Sequence, residues 1–204
     1  MAKTIKTVVF DLGAVLIKWD PRNLYRKIFQ DESEMEAFLR DVCNFDWNEQ
    51  QDAGRSIAEA NRVLIEQFPT QKENIEIFYG RWTEMLDGAI DGTVEILKEI
   101  KDAGKYQLLV LSNWSAETYP FAQKQFDFLN WFDGKIISGQ YGIKKPDPKI
   151  YHMLEEKFGI DFATSIFIDD SQRNVDAGNA LGLHSILFKN PKQLRRDLES
   201  IGVR

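Results

Sequence analysis

The sequence has few of the residues that form disulfides and zinc sites. It contains one cysteine, Cys43, and two histidines, His152 and His184, among 204 residues. A single cysteine excludes a disulfide within the chain and a zinc site made of several cysteines, and it fits a reducing compartment. Both histidines lie outside the motifs described below. We therefore predict a surface or core role for the histidines and a core position for Cys43.

Positive charge and long hydrophobic runs are also scarce. The chain has 26 Lys and Arg residues against 32 Asp and Glu residues, a formal net charge of -6. Such a chain is not expected to be attracted to nucleic acid or to an anionic membrane. The first apolar stretch, in MAKTIKTVVF, is too short for a signal peptide or a membrane span. We expect a cytoplasmic protein that binds neither nucleic acid nor membrane, either a monomer or a homodimer.

Five short apolar runs rich in β-branched residues predict buried strands. They cover residues 7–10, 107–111, 135–137, 165–168 and 184–188. Helical patterns separate the later runs: residues 93–103 end at Gly104, residues 150–158 end at Gly159, and a third helix begins after Ser171 and ends at Gly182. This alternation predicts an α/β fold with a doubly wound parallel sheet and helices on both faces.

The segment from about Pro21 to Met85 differs, because it contains amphipathic helical patterns and no convincing strand. We interpret it as an all-helical cap, residues 18–88, inserted into a core formed by residues 1–17 and 89–204. Its many aromatic residues could line a substrate pocket, but helical periodicity mainly reports burial. We predict that most of them pack between the cap helices.

Polar residues follow four of the predicted strands. In strand order they are Asp11, then Ser112 and Asn113, then Lys144 and Lys145, and finally Asp169 and Asp170. Each alone is explained equally well by a helix cap, a turn or a solvated loop. Ligands of a doubly wound sheet bind beyond the carboxyl ends of its strands, so the four positions together predict a functional site at that edge.

Four segments carry a resemblance to a known family. VVFDLGAVL, VLSNWS, GIKKPDP and FIDDSQRNVDAG, in this order and spacing, resemble the haloacid dehalogenase-like hydrolases that carry a helical cap after the first strand. The similarity extends from end to end. The Asp-Leu-Gly of the first segment, where Asp-x-Asp is more usual, resembles a subgroup that includes sugar-1-phosphate phosphatases. The resemblance implies a Rossmann-like core and a Mg²⁺-dependent phosphatase acting on a small phosphorylated metabolite.

The resemblance also implies roles for individual residues. Asp11 would attack phosphorus and form an aspartyl-phosphate. Asp11, Asp170 and the backbone carbonyl of Gly13 would hold Mg²⁺, which prefers oxygen ligands. Ser112 and the backbone N–H of Asn113 would bind phosphoryl oxygens, and Lys145 would neutralise the charge that the phosphate shares with Asp11.

Two further residues are candidates for supporting roles. Asp169 could reach the metal in place of Asp170, although Asp170 is in register with the family's metal ligand. Asn174 could orient a carboxylate or a metal-bound water, and a simple polar position near a helix start explains it equally well.

Gly13 departs from the family pattern. Most of these phosphatases have an Asp there, which protonates the leaving group and then activates water. Without it, we expect glycosyl, acyl and aryl phosphates to react more readily than alkyl phosphates. Asp20 is a candidate substitute acid, and a surface turn before Pro21 is its alternative explanation.

Two other functions stay open. A 2-haloacid dehalogenase would use the same Asp11 without a metal, but Asp169 and Asp170 would repel an anionic haloacid. Dehalogenases of this family also usually carry an aromatic residue at the position of Gly13. A catalytically weak protein that binds phosphorylated ligands is the second alternative, against which the retained Asp11 argues.

Overall fold

The computed structural model describes residues 4–203, along which strands and helices alternate. The strands are β1 (Thr7–Phe10), β2 (Ile17–Trp19), β3 (Leu86–Ala89), β4 (Gln107–Ser112), β5 (Gly134–Ile137), β6 (Ser165–Asp169) and β7 (His184–Leu187). The helices are α1 (Arg22–Tyr25), α2 (Glu32–Asp41), α3 (Phe45–Asp52), α4 (Ile57–Gln67), α5 (Lys72–Gly80), α6 (Asp91–Ala103), α7 (Tyr119–Gln125), α8 (Pro148–Phe158), α9 (Gln172–Ala180) and α10 (Pro191–Ser200). Short 3-10 turns cover Pro69–Gln71, Trp82–Met85, Asp127–Asn130, Ser138–Gln140 and Phe162–Thr164.

Five of the strands form one parallel sheet in the order β5-β4-β1-β6-β7. These are the five strands predicted from the apolar runs, and the predicted α/β fold is confirmed. At the end of β1, Phe10 lies opposite Val110 of β4 and Ile168 of β6. The carboxyl ends of these three strands therefore meet at one edge of the sheet.

The sheet is covered on both faces. Successive side chains of a strand point to opposite faces, so Val8 and Phe10 join one buried cluster and Val9 joins the other. Helices α6 and α10 pack on the first face and α8 packs on the second. Each fully buried Leu or Ile in these contacts contributes about 1.5–3 kcal/mol relative to an exposed position. Burial on both faces explains why the strands are continuous apolar runs.

The predicted helix ends agree with the backbone at two glycines. Gly104 follows α6 with φ 61°, and Gly159 follows α8 with φ 66°, the left-handed conformation in which glycine carries no steric penalty. Ser171 does occupy the N-cap position of α9, but its side chain makes no capping hydrogen bond. Helix α9 ends at Ala180, and Gly182 follows with φ 90°.

Helices α1 to α5 lie between β2 and β3, and we call residues 22–85 the helical segment. Strands β2 and β3 pair antiparallel at its base, with Ile17 opposite Ala89. Neither strand was predicted from the sequence, and both overlap the ends of the predicted all-helical cap. Strand β2 has only three residues, and β3 contains Asp87 and Gly88, residue types that are depleted in strands.

The interior of the helical segment is aromatic. Tyr25 packs on Phe38 with ring centroids 5.0 Å apart, and Trp47 packs edge-on against Phe78 at 5.1 Å. All four residues are buried, and so is Cys43, which confirms its predicted core position. Across residues 4–203, no helix combines the length and the hydropathy needed to cross a membrane.

Candidate active site

Asp11 follows β1 and lies beside Ser112 at the end of the adjacent β4. The Ser112 hydroxyl donates a hydrogen bond to Asp11 Oδ1 at 2.6 Å, and the backbone N–H of Asp11 donates to the carbonyl of Ile168. Asp11 is 8% exposed. The parallel register of β1 with β4 and β6 thus brings together residues about 100 and 160 positions apart in the chain.

Lys145 is buried, and its ammonium group lies close to three acceptors. Its Nζ lies 2.5 Å from Asp169 Oδ2, 3.1 Å from Asp11 Oδ1 and 2.8 Å from the carbonyl oxygen of Leu111. The Leu111 carbonyl and the Asp169 carboxylate accept hydrogen bonds from this group, and Asp11 forms an ion pair with it. Binding a phosphoryl oxygen, as predicted, would require Lys145 to share or exchange one of these partners.

Asn113 positions the backbone of Lys145. Its side-chain Oδ1 accepts from the Lys145 N–H at 2.8 Å, and its Nδ2 donates to the Lys145 carbonyl at 3.0 Å. The predicted phosphate contact of Asn113 uses its backbone N–H, which these side-chain bonds do not involve. The side-chain contact was not foreseen, because it joins two loops 32 residues apart.

Asp169 and Asp170 have different surroundings. Asp169 is fully buried and accepts hydrogen bonds from Lys145, from Asn174 Nδ2 at 3.0 Å and from the backbone N–H of Ser171 at 2.8 Å. Asp170 is exposed to the cavity. The Asn174 side chain thus contacts the carboxylate of Asp169.

Asp11, Asp169 and Asp170 each have a carboxylate oxygen within 4.8 Å of the others. Such oxygens suit Mg²⁺. The acceptor sites of Asp169 are already used by protein donors, so Asp11 and Asp170 are the carboxylates open to a cation. Asn174 Oδ1 is buried without a hydrogen-bond partner, and Asn174 lines the same cavity. The residues present therefore fit a divalent cation.

The charged side chains of the site shift one another's pKa values. Burial raises the pKa of Asp11 to about 7, with contributions from Asp169 and Asp170 that Lys145 and Ser112 oppose. Burial and Asp169 also raise the pKa of Asp170. The pKa of Lys145 is raised by Asp11 and Asp169, whose negative charges outweigh the effect of its own burial. The two acidic groups open to the cavity thus favour protons, or a cation in their place.

Asp11, Lys145 and Asp170 line a cavity of about 540 Å³, within the usual size range of ligand pockets. The sheet edge contributes Asp11, Gly13, Asn113, Lys145, Asp170 and Asn174. The helical segment contributes Phe45, Asn48, Glu49, Asp52, Tyr79 and Trp82. Some aromatic residues of the helical segment line the cavity, whereas Tyr25, Phe38 and Phe78 belong to the core.

Glu49 connects the two sides of the cavity. Its Oε1 lies 2.8 Å from Lys144 Nζ, in the loop before α8, and 2.5 Å from Arg173 Nη2 on α9. Nothing in the sequence singled out Glu49 or Asp52, because the NEQQD stretch of α3 reads as an ordinary solvated helix face. Only the packing of α3 over the sheet edge shows that they face the site.

Asp20 is not placed to act on a ligand in the cavity. Its Oδ1 accepts from the backbone N–H of Arg22 at 2.9 Å and pairs with Nη1 of the same residue at 3.3 Å. Asp20 is absent from the cavity lining. The turn before Pro21 is therefore its structural role, and the suggestion that it replaces the missing acid is not supported.

The chain is similar to proteins of one known family. The family model described as haloacid dehalogenase-like hydrolase matches residues 5–182. The sesquiterpene phosphatase of Aspergillus oryzae is 24% identical over 184 residues, covering 90% of this chain and 89% of that protein. The drimenol cyclase of Aspergillus calidoustus is 23% identical over 97% of this chain, which spans only 36% of that protein's length.

Among solved structures, a haloacid dehalogenase family enzyme from Bacteroides thetaiotaomicron superimposes with a TM-score of 0.67 and 25% identity. The match covers 91% of this chain and 95% of that one, which was solved in complex with magnesium and inorganic phosphate.

Proposed function

The chain belongs to the haloacid dehalogenase-like hydrolases, and from this we propose that it is a Mg²⁺-dependent phosphatase that cleaves a small phosphorylated metabolite through an aspartyl-phosphate. The Asp11 carboxylate carries this proposal. Ser112 and Lys145 both contact Oδ1. Oδ2 has no hydrogen-bond partner within residues 4–203, so it is the oxygen available to attack phosphorus.

In the first step the Asp11 carboxylate forms the bond to phosphorus as the bond to the leaving oxygen breaks, and in the second step water releases phosphate and restores Asp11. Lys145 and Ser112 hold the carboxylate in one orientation, which favours the reaction by positioning. Asp11, Asp170 and the Gly13 carbonyl would hold Mg²⁺, with Asn174 nearby. The cation, when bound, offsets the repulsion between Asp11 and the substrate phosphate.

We propose that residues 18–88 act as the helical cap over a core of residues 1–17 and 89–204. The cavity supports this division, because one wall comes from the sheet edge and the other from α3 and α5. Substrate selectivity would then reside in the side chains of the helical segment, while Asp11 and its neighbours process the phosphate.

Two substrate classes suit the cavity. A sugar phosphate follows from the Asp-Leu-Gly motif, and Asn48, Glu49 and Arg173 offer partners for hydroxyl groups. A phosphate ester of a larger apolar alcohol suits the aromatic wall formed by Trp19, Phe45, Tyr79, Trp82 and Trp114. The Aspergillus sesquiterpene phosphatase, by its name, acts on the second class. A screen of both classes with the purified protein would rank them.

The general activity is tested with p-nitrophenyl phosphate, whose leaving group needs no protonation. We expect hydrolysis with Mg²⁺ and none after chelation, together with loss in Asp11→Asn. Metal-independent release of halide from a 2-haloacid would instead support the dehalogenase function. Saturable binding of phosphate with no turnover of any ester would support the ligand-binding function.

A further inference from the structure

The proposed reaction lacks a proton donor on the sheet side of the cavity. The family's usual acid is replaced by Gly13, and Asp20 is paired with Arg22 outside the cavity. A Cβ placed on Gly13 would meet no atom within 4 Å, so the space that the usual acid would occupy is open. An alkoxide is a poor leaving group, and an enzyme for alkyl esters needs an acid elsewhere.

We propose that Asp52, the last residue of α3, protonates the leaving group, an inference that rests on the phosphatase function proposed above. Asp52 lines the cavity that also contains Asp11 and Asp170. In an in-line displacement the leaving oxygen lies on the far side of phosphorus from the attacking Asp11. Asp11 lies at the sheet edge, and Asp52 belongs to the helical segment that forms the other wall.

The Asp52 carboxylate differs from that of Glu49 in its contacts. Along the described part of the chain it makes no hydrogen bond and no ion pair, whereas Glu49, one turn earlier on the same helix, pairs with Lys144 and Arg173. A negative side chain at the C-terminal end of a helix is electrostatically unfavourable. Asp52 therefore has no evident stabilising role, and its position is explained by a function in the cavity.

The groups that face Asp52 are Glu49 on its own helix, Tyr79 on α5, Lys144 and Lys145 in the loop before α8, and Asp11 after β1. Burial raises the pKa of Asp52 to about 7; Lys144 and Lys145 oppose this rise, and Glu49 and Asp11 add to it. A carboxylic acid with a pKa near neutrality retains a proton that it can donate at neutral pH.

Hydrogen bonds near the end of α3 involve residues next to Asp52 but not the Asp52 carboxylate. Gln51 is buried, and its Nε2 donates to the Trp47 carbonyl at 3.0 Å and to the Tyr79 hydroxyl at 2.5 Å. Arg55 Nη2 donates to the same carbonyl at 2.7 Å. These contacts fix the backbone that carries Asp52, as a positioned acid requires.

As Asp11 forms its bond to phosphorus, the bond from phosphorus to the leaving oxygen breaks, and that oxygen takes the Asp52 proton to leave as a neutral alcohol. Water then attacks the aspartyl-phosphate and gives a proton to the Asp52 carboxylate. Phosphate departs, and both Asp11 and the protonated Asp52 are restored.

The test is a series of phosphate monoesters with graded leaving-group pKa, from p-nitrophenyl to simple alkyl, measured as kcat/KM with Mg²⁺. This ratio reports phosphoryl transfer without the later hydrolysis step. With Asp52 as the acid, the wild-type protein should depend weakly on the leaving group, in contrast to the preference for glycosyl, acyl and aryl phosphates expected from Gly13 alone. Asp52→Asn should lose about 10²–10⁴-fold on alkyl phosphates and less than about tenfold on p-nitrophenyl phosphate, the size expected for removal of a general acid.

Asp46→Asn is the matched control, because it removes an exposed carboxylate from the same helix outside the cavity, and any loss should be equal for all esters. A second readout is the burst of nitrophenolate, which should appear in Asp52→Asn because hydrolysis of its aspartyl-phosphate is slowed. Equal loss on every ester, or a wild-type dependence as steep as that of Asp52→Asn, would overturn the role of Asp52. Absence of wild-type activity on every ester would overturn the phosphatase function instead.

Discussion

Lys145 and Asp169 form a buried ion pair, with Nζ and Oδ2 2.5 Å apart and neither side chain more than 1% exposed. The same ammonium lies 3.1 Å from Asp11 Oδ1. The Lys145 ammonium thus links the proposed nucleophile Asp11 to Asp169. The Asp169 carboxylate also accepts hydrogen bonds from Asn174 and Ser171. The pair matters for the fold as well as for the site, because an unpaired buried charge is costly.

We therefore expect Asp169→Asn to lower the free energy of unfolding by roughly 3 kcal/mol, the lower end of the usual range for a broken buried pair, since Lys145 keeps Asp11 as a partner. Urea denaturation with an unchanged m-value would measure it. Asp170→Asn is the matched control. Because burial and Asp169 raise the pKa of Asp170, this substitution should not lower the free energy of unfolding. Equal losses in both variants would contradict the assignment of Asp169 as the structural carboxylate.

Asp11→Asn should reduce turnover by about 10⁵–10⁶-fold, comparable to the loss of a nucleophile in other hydrolases, because the amide cannot form the aspartyl-phosphate. The fold should remain intact. The raised pKa of Asp11 means that its ionised form is disfavoured in the folded protein, so the neutral amide should not lower stability in metal-free buffer at pH 8. Intact-mass detection of a phosphorylated Asp11→Asn protein would refute the nucleophile assignment.

Removal of metal should abolish activity, and Mg²⁺ should restore it. Mg²⁺ should also raise the melting temperature of the wild-type protein, because a ligand that binds only the folded state stabilises it. Asp170→Ala should weaken the Mg²⁺ dependence more than Asp169→Ala, whose main defect is predicted to be in stability. Thermal melts over a Mg²⁺ titration would show this, and the reverse order would exchange the roles of the two residues.

Asp52→Asn should stabilise the protein in a pH-dependent way. The pKa of Asp52 is about 7 in the folded protein against an ordinary value of 3.8. Below 3.8 the group is protonated in both states and the substitution should have little effect. Between pH 4 and 7 the unfolded chain loses the proton more readily, so wild-type stability falls relative to Asp52→Asn. Urea midpoints from pH 4 to 8 would detect the growing difference; a constant difference would refute the shift.

Glu49→Gln should raise KM several-fold for every substrate with little change in kcat, because Glu49 joins α3 to Lys144 and Arg173 across the cavity. Arg173 is half exposed, so each bridge contributes modestly, about 0.2–1 kcal/mol. Arg62→Gln is a suitable control, since it removes exposed ion pairs with Glu59 and Glu66 on α4. A similar KM in all three proteins would show that the bridge does not affect substrate binding.

Much of this site could be predicted from the sequence. Asp11, Ser112 and Asp169 directly follow or end buried strands, and parallel strands bring their carboxyl ends to one edge. The structure places Asp11 beside Ser112 and Lys145, and within 4.8 Å of Asp169 and Asp170. The structure also distinguishes Asp169 from Asp170, because Lys145 and Asn174 donate hydrogen bonds to Asp169, whereas Asp170 faces the cavity.

Other features had no local signal. The strands β2 and β3 are short and contain Asp87 and Gly88, so they do not resemble strands in isolation. Asp20 was a candidate acid because it lies close to Asp11 in sequence, but it pairs with Arg22 and does not line the cavity. Proximity along the chain was a poor guide at this point.

The sequence by itself determined the parallel sheet, its helices and the chemical character of its carboxyl edge, because burial on both faces imposes continuous apolar runs that end in polar residues. Only the tertiary structure decided which side chains oppose that edge. Glu49 and Asp52 lie one turn apart on α3, yet one pairs across the cavity and the other faces it unpaired. That difference depends on how α3 packs over the sheet, which arises from long-range contacts rather than from any local pattern.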